Sequence, residues 1–298
     1  MTSAGRLPAR TRAPRPTWDR VAIVGVGLIG GSLGMALRQA KAVREVVGID
    51  RDVAALRTAK RRGAITRTTS DLASGVSDAE LIVLCVPVGL ISKLAVAAAQ
   101  HCLAGAIITD AGSTKSLVVD EVDAAQAVGK FLRDRSFVPG HPIAGGEQSG
   151  PQAASADLFA GRHVILTPTK STDRTHVQQV RGMWECTGAH VSTMTPAAHD
   201  QLLAAASHLP HAVAVALSAS LTAKERKHSA GGLADTTRVA AGDPNLWRDI
   251  FRANADDTVA AIDRFQSTLT ELRNAIADDD RPKLTGLLRK AKRNRDAL

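Results

Sequence analysis

The chain has 298 residues, 44% hydrophobic and 22% charged, with a formal net charge of +9. That length suits two domains, and the composition is that of a soluble globular protein, with no apolar run of about 18 residues from which to expect a membrane span. Three cysteines (Cys85, Cys102, Cys186) in odd number, without CxxC spacing, argue against a disulfide framework or a zinc site. They favour a reducing compartment, the cytoplasm.

The charge is uneven. Arg6, Arg10, Arg12, Arg15 and Arg20 crowd the start against Asp19 alone, and Arg289, Lys290, Lys292, Arg293 and Arg295 crowd the end. Basic ends of this kind suit nucleic acid or a membrane surface. Without interleaved aromatic residues for base stacking, neither is expected as a partner. Residues 1–17 lack the apolar core of a secretory signal and contain Pro8, Pro14 and Pro16, so a disordered basic tail is expected there.

From Val21 the pattern is strand and helix in alternation. Val21–Val24 is a buried strand leading into Gly25-Val26-Gly27-Leu28-Ile29-Gly30-Gly31-Ser32, and a helix is expected over Leu33–Gln39. A second strand, Val46–Ile49, ends at Asp50, twenty residues beyond Gly30. GxGxxG between a strand and a helix, with an acid at that distance, is the dinucleotide-binding pattern. Gly25 and Gly27 allow a tight turn and close backbone approach to a pyrophosphate, Leu28 and Ile29 stand with them as cofactor-binding residues of the loop, and Gly30 lets helix and strand pack. Asp50 favours the ribose diol of NAD, while Arg51 beside it keeps NADP open.

A helix (Arg51–Arg61), a short strand (Ala64–Thr66) and a buried strand (Glu80 to Val86, closed by Pro87) follow. Val86 and Pro87 fall where a nicotinamide half would pass. Cys85 reads as core. After a helix over Val88–Gln100, the strand Ile107–Asp110 ends in Asp110-Ala111-Gly112-Ser113-Thr114-Lys115, where Ser113 and Thr114 read equally well as helix caps. Phe137-Val138-Pro139 then leads to Gly140-His141-Pro142-Ile143-Ala144-Gly145-Gly146. Pro142 holds His141 extended. Successive parallel strands thus bring the glycine loop, Pro87, Ser113 and His141 to one sheet edge.

Further strands are expected at Val164–Pro168 and His190–Thr193, with a helix over 174–187 between them. From Ala197 the chain becomes helical. The stretch 199–221 looks buried on most faces, and Pro210 within Ser207-His208-Leu209-Pro210-His211 should kink it. The i, i+3 pair His208 and His211 could be hydrogen-bonded core or substrate contacts; no third ligand at matching spacing supports a metal. Arg238 lies in an apolar helical stretch and needs an anionic partner, Asp235 or Asp249 if internal. Trp247 reads as a core anchor. Val259, Ile262, Phe265, Leu269, Leu272 and Ile276 mark an apolar helix face suited to a subunit interface.

Taken together, the chain resembles the prephenate/arogenate dehydrogenase family from about Val21 onward. The resemblance rests on the glycine loop, Asp110–Lys115, Gly140–Gly145, Ser207–His211, and Arg238 with Asp243-Pro244 and Trp247-Arg248-Asp249. It implies an α/β Rossmann-type dinucleotide-binding domain (18–195), then an all-α substrate and dimerisation domain (196–298), with the active site between them in a homodimer. The implied activity is NAD-dependent oxidative decarboxylation of prephenate to 4-hydroxyphenylpyruvate, in tyrosine biosynthesis. By the same resemblance His141 is the base that takes the ring hydroxyl proton and Ser113 its hydroxyl partner. His211 and Arg238 hold the substrate, with His208 beside them. Gly146 departs from the family's usual Thr, which leaves prephenate against arogenate open. A β-hydroxyacid dehydrogenase-like reductase would instead carry its catalytic Lys or another residue on the long helix. A non-enzymatic, NAD-sensing module that binds nucleic acid would need salt-dependent DNA binding.

Overall fold

A computed structural model describes residues 18–129, 135–146 and 148–297; the basic tail expected over 1–17 lies outside the described residues. The chain divides into two compact units, Met1–Pro196 and Ala197–Leu298.

The first unit is built on a parallel sheet. Strands β1 (Trp18–Val24), β2 (Val43–Ile49), β3 (Arg67–Thr69), β4 (Leu81–Leu84), β5 (Ile107–Asp110) and β6 (Ser136–Val138) lie in the order β3-β2-β1-β4-β5-β6. Every pairing is parallel. Helices α1 (Leu28–Gln39), α2 (Val53–Arg61), α3 (Leu72–Val76), α4 (Val88–Ala99) and α5 (Ser116–Ala127) make the crossovers. The inner strands are continuous apolar runs because parallel sheets are covered on both faces; Leu81, Ile82, Val83 and Leu84 are fully buried. The order reverses between β1 and β4, the place where open α/β sheets bind ligands at their carboxyl ends.

Several boundaries differ from expectation. Helix α1 begins at Leu28, so Gly30, Gly31 and Ser32 are helical rather than loop. Helix α2 begins at Val53, because the Asp52 carboxylate caps it by accepting from the Ala54 and Ala55 N–H groups. The strand expected at Ala64–Thr66 forms three residues later, as β3. Ala64 and Ile65 are buried for a different reason: they pack in the core against α1 and β2.

The largest difference is at residues 136–142. A strand ended by Phe137-Val138 and a Pro-Gly turn delivering His141 at its edge were expected. The strand does end at Pro139, which has no N–H to continue a ladder, but no simple turn follows. Beyond it β7 (Gly140–Pro142) joins a second sheet with β8 (His163–Leu166) and β9 (His190–Thr193), in the order β7-β8-β9. β7 runs antiparallel to β8, with His141 opposite Ile165. Helix α6 (Arg174–Glu185) connects β8 to β9, and Trp184 packs edge-on against Phe159 at 5.2 Å, both fully buried.

The second unit is helical: α7 (Pro196–Leu203), α8 (Leu209–Ser220), α9 (Ala223–Lys227), α10 (Gly231–Thr237), α11 (Pro244–Ala253), α12 (Ala255–Ala277) and α13 (Arg281–Asp296). A π-turn, Ala204–His208, separates α7 from α8 directly before Pro210. Loss of the proline N–H makes such a register change cheap there. Two expectations fail in this segment. The stretch Pro196–Ser220 is long and apolar enough by length and composition to cross a membrane, although its polar residues hide this from a search for unbroken runs. It is also not buried on most faces: only 28% of its most apolar window is covered, and Leu202 and Val215 are exposed. On α12 the buried residues are Thr258, Ala261 and Ala275, while Val259, Leu269 and Ile276 are 51–62% exposed.

Candidate active site

The glycine loop leaves β1 at the switch point, and its three glycines do different work. Gly25 has φ +88°, and a Cβ there would sit 2.2 Å from the Cys85 carbonyl oxygen. At Gly30 it would sit 2.0 Å from the Gly25 oxygen and 2.9 Å from Ile23 Cγ2. Both glycines are demanded by the protein's own packing. Gly27 is not: nothing lies within 4 Å of the place its Cβ would take. Gly27 is also the N-cap of α1, which has no side-chain cap and no acid in its first turn. A bare, uncapped helix N-terminus with open space before it fits the pyrophosphate of a dinucleotide.

Asp50 stands beside this loop. Its Oδ2 accepts the Val26 N–H at 3.0 Å and its Oδ1 the Asp52 N–H at 2.9 Å. The carboxylate therefore shapes the glycine loop, and its remaining lone pairs can still accept from a diol. Arg51 is exposed, Val86 half-buried and Pro87 exposed at the end of β4. Cys85 packs half-buried against the core; burial, then the charge of Asp110, pushes its thiol pKa up.

Ser113 emerges from the end of β5 and is half-buried. It is not a helix cap, nor is Thr114. The N-cap of α5 is Lys115, without a side-chain cap hydrogen bond, and the Thr114 hydroxyl is buried with no partner among the described residues. His141 is half-buried on β7. The loop after it turns back over α1. Gly146 lies against Leu28, with a Cβ there 3.6 Å from Leu28 Cδ2. Ser32 Oγ accepts the Ser155 N–H at 2.9 Å, and Arg62 donates to the Ala154 carbonyl at 2.8 Å.

Sequence reasoning gave Asp110 and Lys115 no role of their own. Both are fully buried and form an ion pair. Asp110 also accepts the Gly112 N–H at 2.8 Å and the Gly140 N–H at 3.0 Å, and Lys115 donates to the Gly140 carbonyl at 2.9 Å. The available signal was an acid and a lysine bracketing Ala-Gly-Ser-Thr at a strand end.

In the helical unit His208 is 1% exposed, with its Nδ1 3.2 Å from Asn254 Nδ2. That amide also donates to the Asp200 carbonyl at 2.9 Å. Desolvation lowers the His208 pKa to about 4, with Asp200 opposing and His199 and His211 adding to the fall. A neutral ring accepting at Nδ1 ties the π-turn to the start of α12. His211 is 3% exposed and stacks on Trp247 with ring centroids 3.4 Å apart and planes 9° from parallel. Trp247 is therefore a half-buried stacking partner rather than the core anchor expected. Burial lowers the His211 pKa. Its Nδ1 has no hydrogen-bond partner among the described residues, a deficit of about 1–3 kcal/mol that a bound polar group removes.

Gly242, another residue the sequence did not single out, makes the stack possible. A Cβ there would sit 2.6 Å from Trp247 Nε1 and 3.2 Å from His211 Cε1. Asp243 follows it and caps α11, accepting from the Asn245 and Leu246 N–H groups. Arg238 opens a 3-10 turn and is exposed, not set in an apolar helix. Asp249 pairs with the neighbouring Arg248. Among the described residues no group of three or more His, Cys, Asp or Glu is placed to hold a metal ion.

Residues 33–193 match the nucleotide-binding domain of prephenate dehydrogenase, and residues 195–290 match its dimerization domain. The chain is 34% identical to a prephenate dehydrogenase of Bacillus subtilis (strain 168), over 94% of this chain and 76% of that one. It is also 34% identical to a cyclohexadienyl dehydrogenase of Zymomonas mobilis, over 94% and 96%. A crystal structure of prephenate dehydrogenase from A. aeolicus, in complex with hydroxyphenyl propionate and NAD+, superposes with a TM-score of 0.85 at 33% identity, covering 94% of this chain and 98% of that one. With both domains matched in order along nearly all of its length, this chain belongs to the prephenate dehydrogenase family.

Proposed function

We propose that this protein is an NAD-dependent prephenate dehydrogenase that converts prephenate to 4-hydroxyphenylpyruvate and CO2, with His141 and Ser113 acting on the ring hydroxyl. The observation that carries the reading is the shared carboxyl edge of one parallel sheet, from which the glycine loop, Ser113 and the chain leading to His141 all emerge. The family match over both domains supports it.

Gly25, Gly27, Leu28, Ile29 and Gly30 hold the pyrophosphate, and Asp50 the ribose. NAD supplies the hydride acceptor when bound. His141, as a neutral imidazole, takes the hydroxyl proton as the carbinol carbon is oxidised; a base with a pKa near ~6.5 suits this at cellular pH. Ser113 orients that hydroxyl. Prephenate is a dianion, so cations are required: Arg238 pairs with a carboxylate, helped by His211, whose unmet Nδ1 suits a polar substrate group. His208 holds α8 in place for both. Loss of CO2 leaves an aromatic ring, which makes the step irreversible.

A second reading is arogenate as substrate. The Zymomonas relative is named for cyclohexadienyl substrates, and Gly146 leaves the loop beside Leu28 bare where a side chain would fit. A homodimer is supported by the exposed apolar residues of α8 and α12, which a second copy would cover, and by the matched dimerization domain. None of the three cysteines is in a disulfide, which supports a reducing compartment such as the cytoplasm.

NADH formation with prephenate and with arogenate, each with NAD and NADP, tests the assignment. His141→Asn should lower kcat by ~10²–10⁴ with NAD affinity unchanged. A variant with normal kcat would remove His141 from the reaction.

A further inference from the structure

We propose that Asp110 and Lys115 are positioning residues for this reaction: their buried ion pair sets the backbone from which Ser113 and His141 are presented. The proposal rests on the reading that those two side chains act on the substrate.

An ion pair taken wholly out of water is a poor way to gain stability. Desolvation costs several kcal/mol per ion, and well-packed apolar residues commonly do as well or better. Both side chains are nonetheless 0% exposed. What the pair does is geometric. The Asp110 carboxylate accepts the Gly140 N–H while Lys115 donates to the Gly140 carbonyl. Both peptide groups of one residue are thus clamped by the two halves of one pair, and His141 is the next residue. The same carboxylate accepts the Gly112 N–H, and Gly112 and Lys115 flank Ser113.

The clamp is needed because of where Pro139 breaks the chain. β6 leaves the large sheet at Val138, and β7 belongs to the small one. Gly140 lies at the joint, where no ladder continuing β6 ties it to β5, and the Asp110 carboxylate supplies that tie. The glycines are part of the device. A Cβ on Gly112 would sit 2.9 Å from Asp110 Oδ2 and 2.4 Å from Ile91 Cδ1. On Gly140 it would sit 3.2 Å from the Asp110 carbonyl oxygen and 3.1 Å from Leu166 Cδ2. Larger residues would push the peptides off the pair.

The test is the double variant Asp110→Asn with Lys115→Met, which removes both charges and strands neither. Circular dichroism and a cooperative thermal transition report the fold, and NAD titration reports the glycine loop. The expected result is a folded protein that binds NAD normally, with kcat down by ~100-fold, the effect of displacing reacting groups by about 1 Å. KM for prephenate should move little. A folded double variant with near-normal kcat would overturn the proposal. If the double variant does not fold, Gly140→Ala, which leaves both charges paired and crowds that peptide against Leu166 and the Asp110 carbonyl, gives the same reading. A crystal structure of either variant tests the geometry without the assay: Gly140 and His141 should be displaced relative to Ser113, and an unmoved backbone would overturn the proposal. If the unaltered enzyme fails to turn over prephenate, the functional reading fails, and the crystallographic arm still decides the positioning claim.

Discussion

Alanine at Gly27 and alanine at Gly30 should give opposite phenotypes, although both sit in one short motif. Gly27 has φ −70° and nothing within 4 Å of its absent Cβ. Apo stability should therefore change by less than about 0.5 kcal/mol. The added methyl enters the space a pyrophosphate needs, and loss of one hydrogen bond to that charged group costs about 1.5–3 kcal/mol, or roughly 10- to 150-fold in NAD affinity. At Gly30 the Cβ meets the Gly25 oxygen at 2.0 Å and Ile23 Cγ2 at 2.9 Å, so helix and strand must part. Overpacking of this kind costs about 1–3 kcal/mol, which at about 2–4 °C per kcal/mol lowers Tm by roughly 2–12 °C. Calorimetric NAD titration and thermal unfolding of the apo protein separate the two. If Gly27→Ala lost as much Tm as Gly30→Ala, or bound NAD as well as the unaltered protein, the division of labour drawn here would be wrong.

Three further outcomes are expected. Arg238→Ala should raise KM for prephenate by the equivalent of ~2–5 kcal/mol while leaving KM for NAD alone; steady-state kinetics in both substrates check this, and a normal prephenate KM would assign Arg238 to structure. His208 has a pKa of about 4 when folded against 6.5 for the free side chain. Its contribution to stability is therefore complete above pH 6.5 and is lost as pH falls toward 4, by roughly 3 kcal/mol across that window. Urea unfolding of His208→Gln should show a shallower acid limb than the unaltered protein, and equal slopes would refute the assignment. The raised Cys85 thiol pKa leaves little thiolate to react, so iodoacetamide should label Cys85 far more slowly in the native protein than in urea, as peptide mapping would report.

The α/β alternation, the glycine loop with Asp50, and the position of Ser113 just past a strand end were legible from residue order alone. Such features are local. Apolar runs, turn residues and the strand–loop–helix junction act over a few neighbours, and a parallel sheet then carries every strand end to the same edge. What sequence misjudged depended on distant partners. Nothing within 136–142 says that the chain changes sheets at Pro139, because β8, which pairs with β7, lies more than twenty residues away. The exposure of α8, expected to be buried on most faces, is likewise set by what packs there, not by periodicity.

The same distinction runs through the candidate site. The role proposed for His141 was suggested by its motif and by the family resemblance, but the fixing of its backbone could be read from neither. The Asp110–Lys115 clamp on Gly140 and the His211–Trp247 stack made room for by Gly242 join residues 25–36 positions apart. Residue type and spacing along a strand or helix determined which groups can react. Tertiary folding alone decided which of them are held still, because a buried charge or an unmet nitrogen acquires its meaning only from the atoms brought against it.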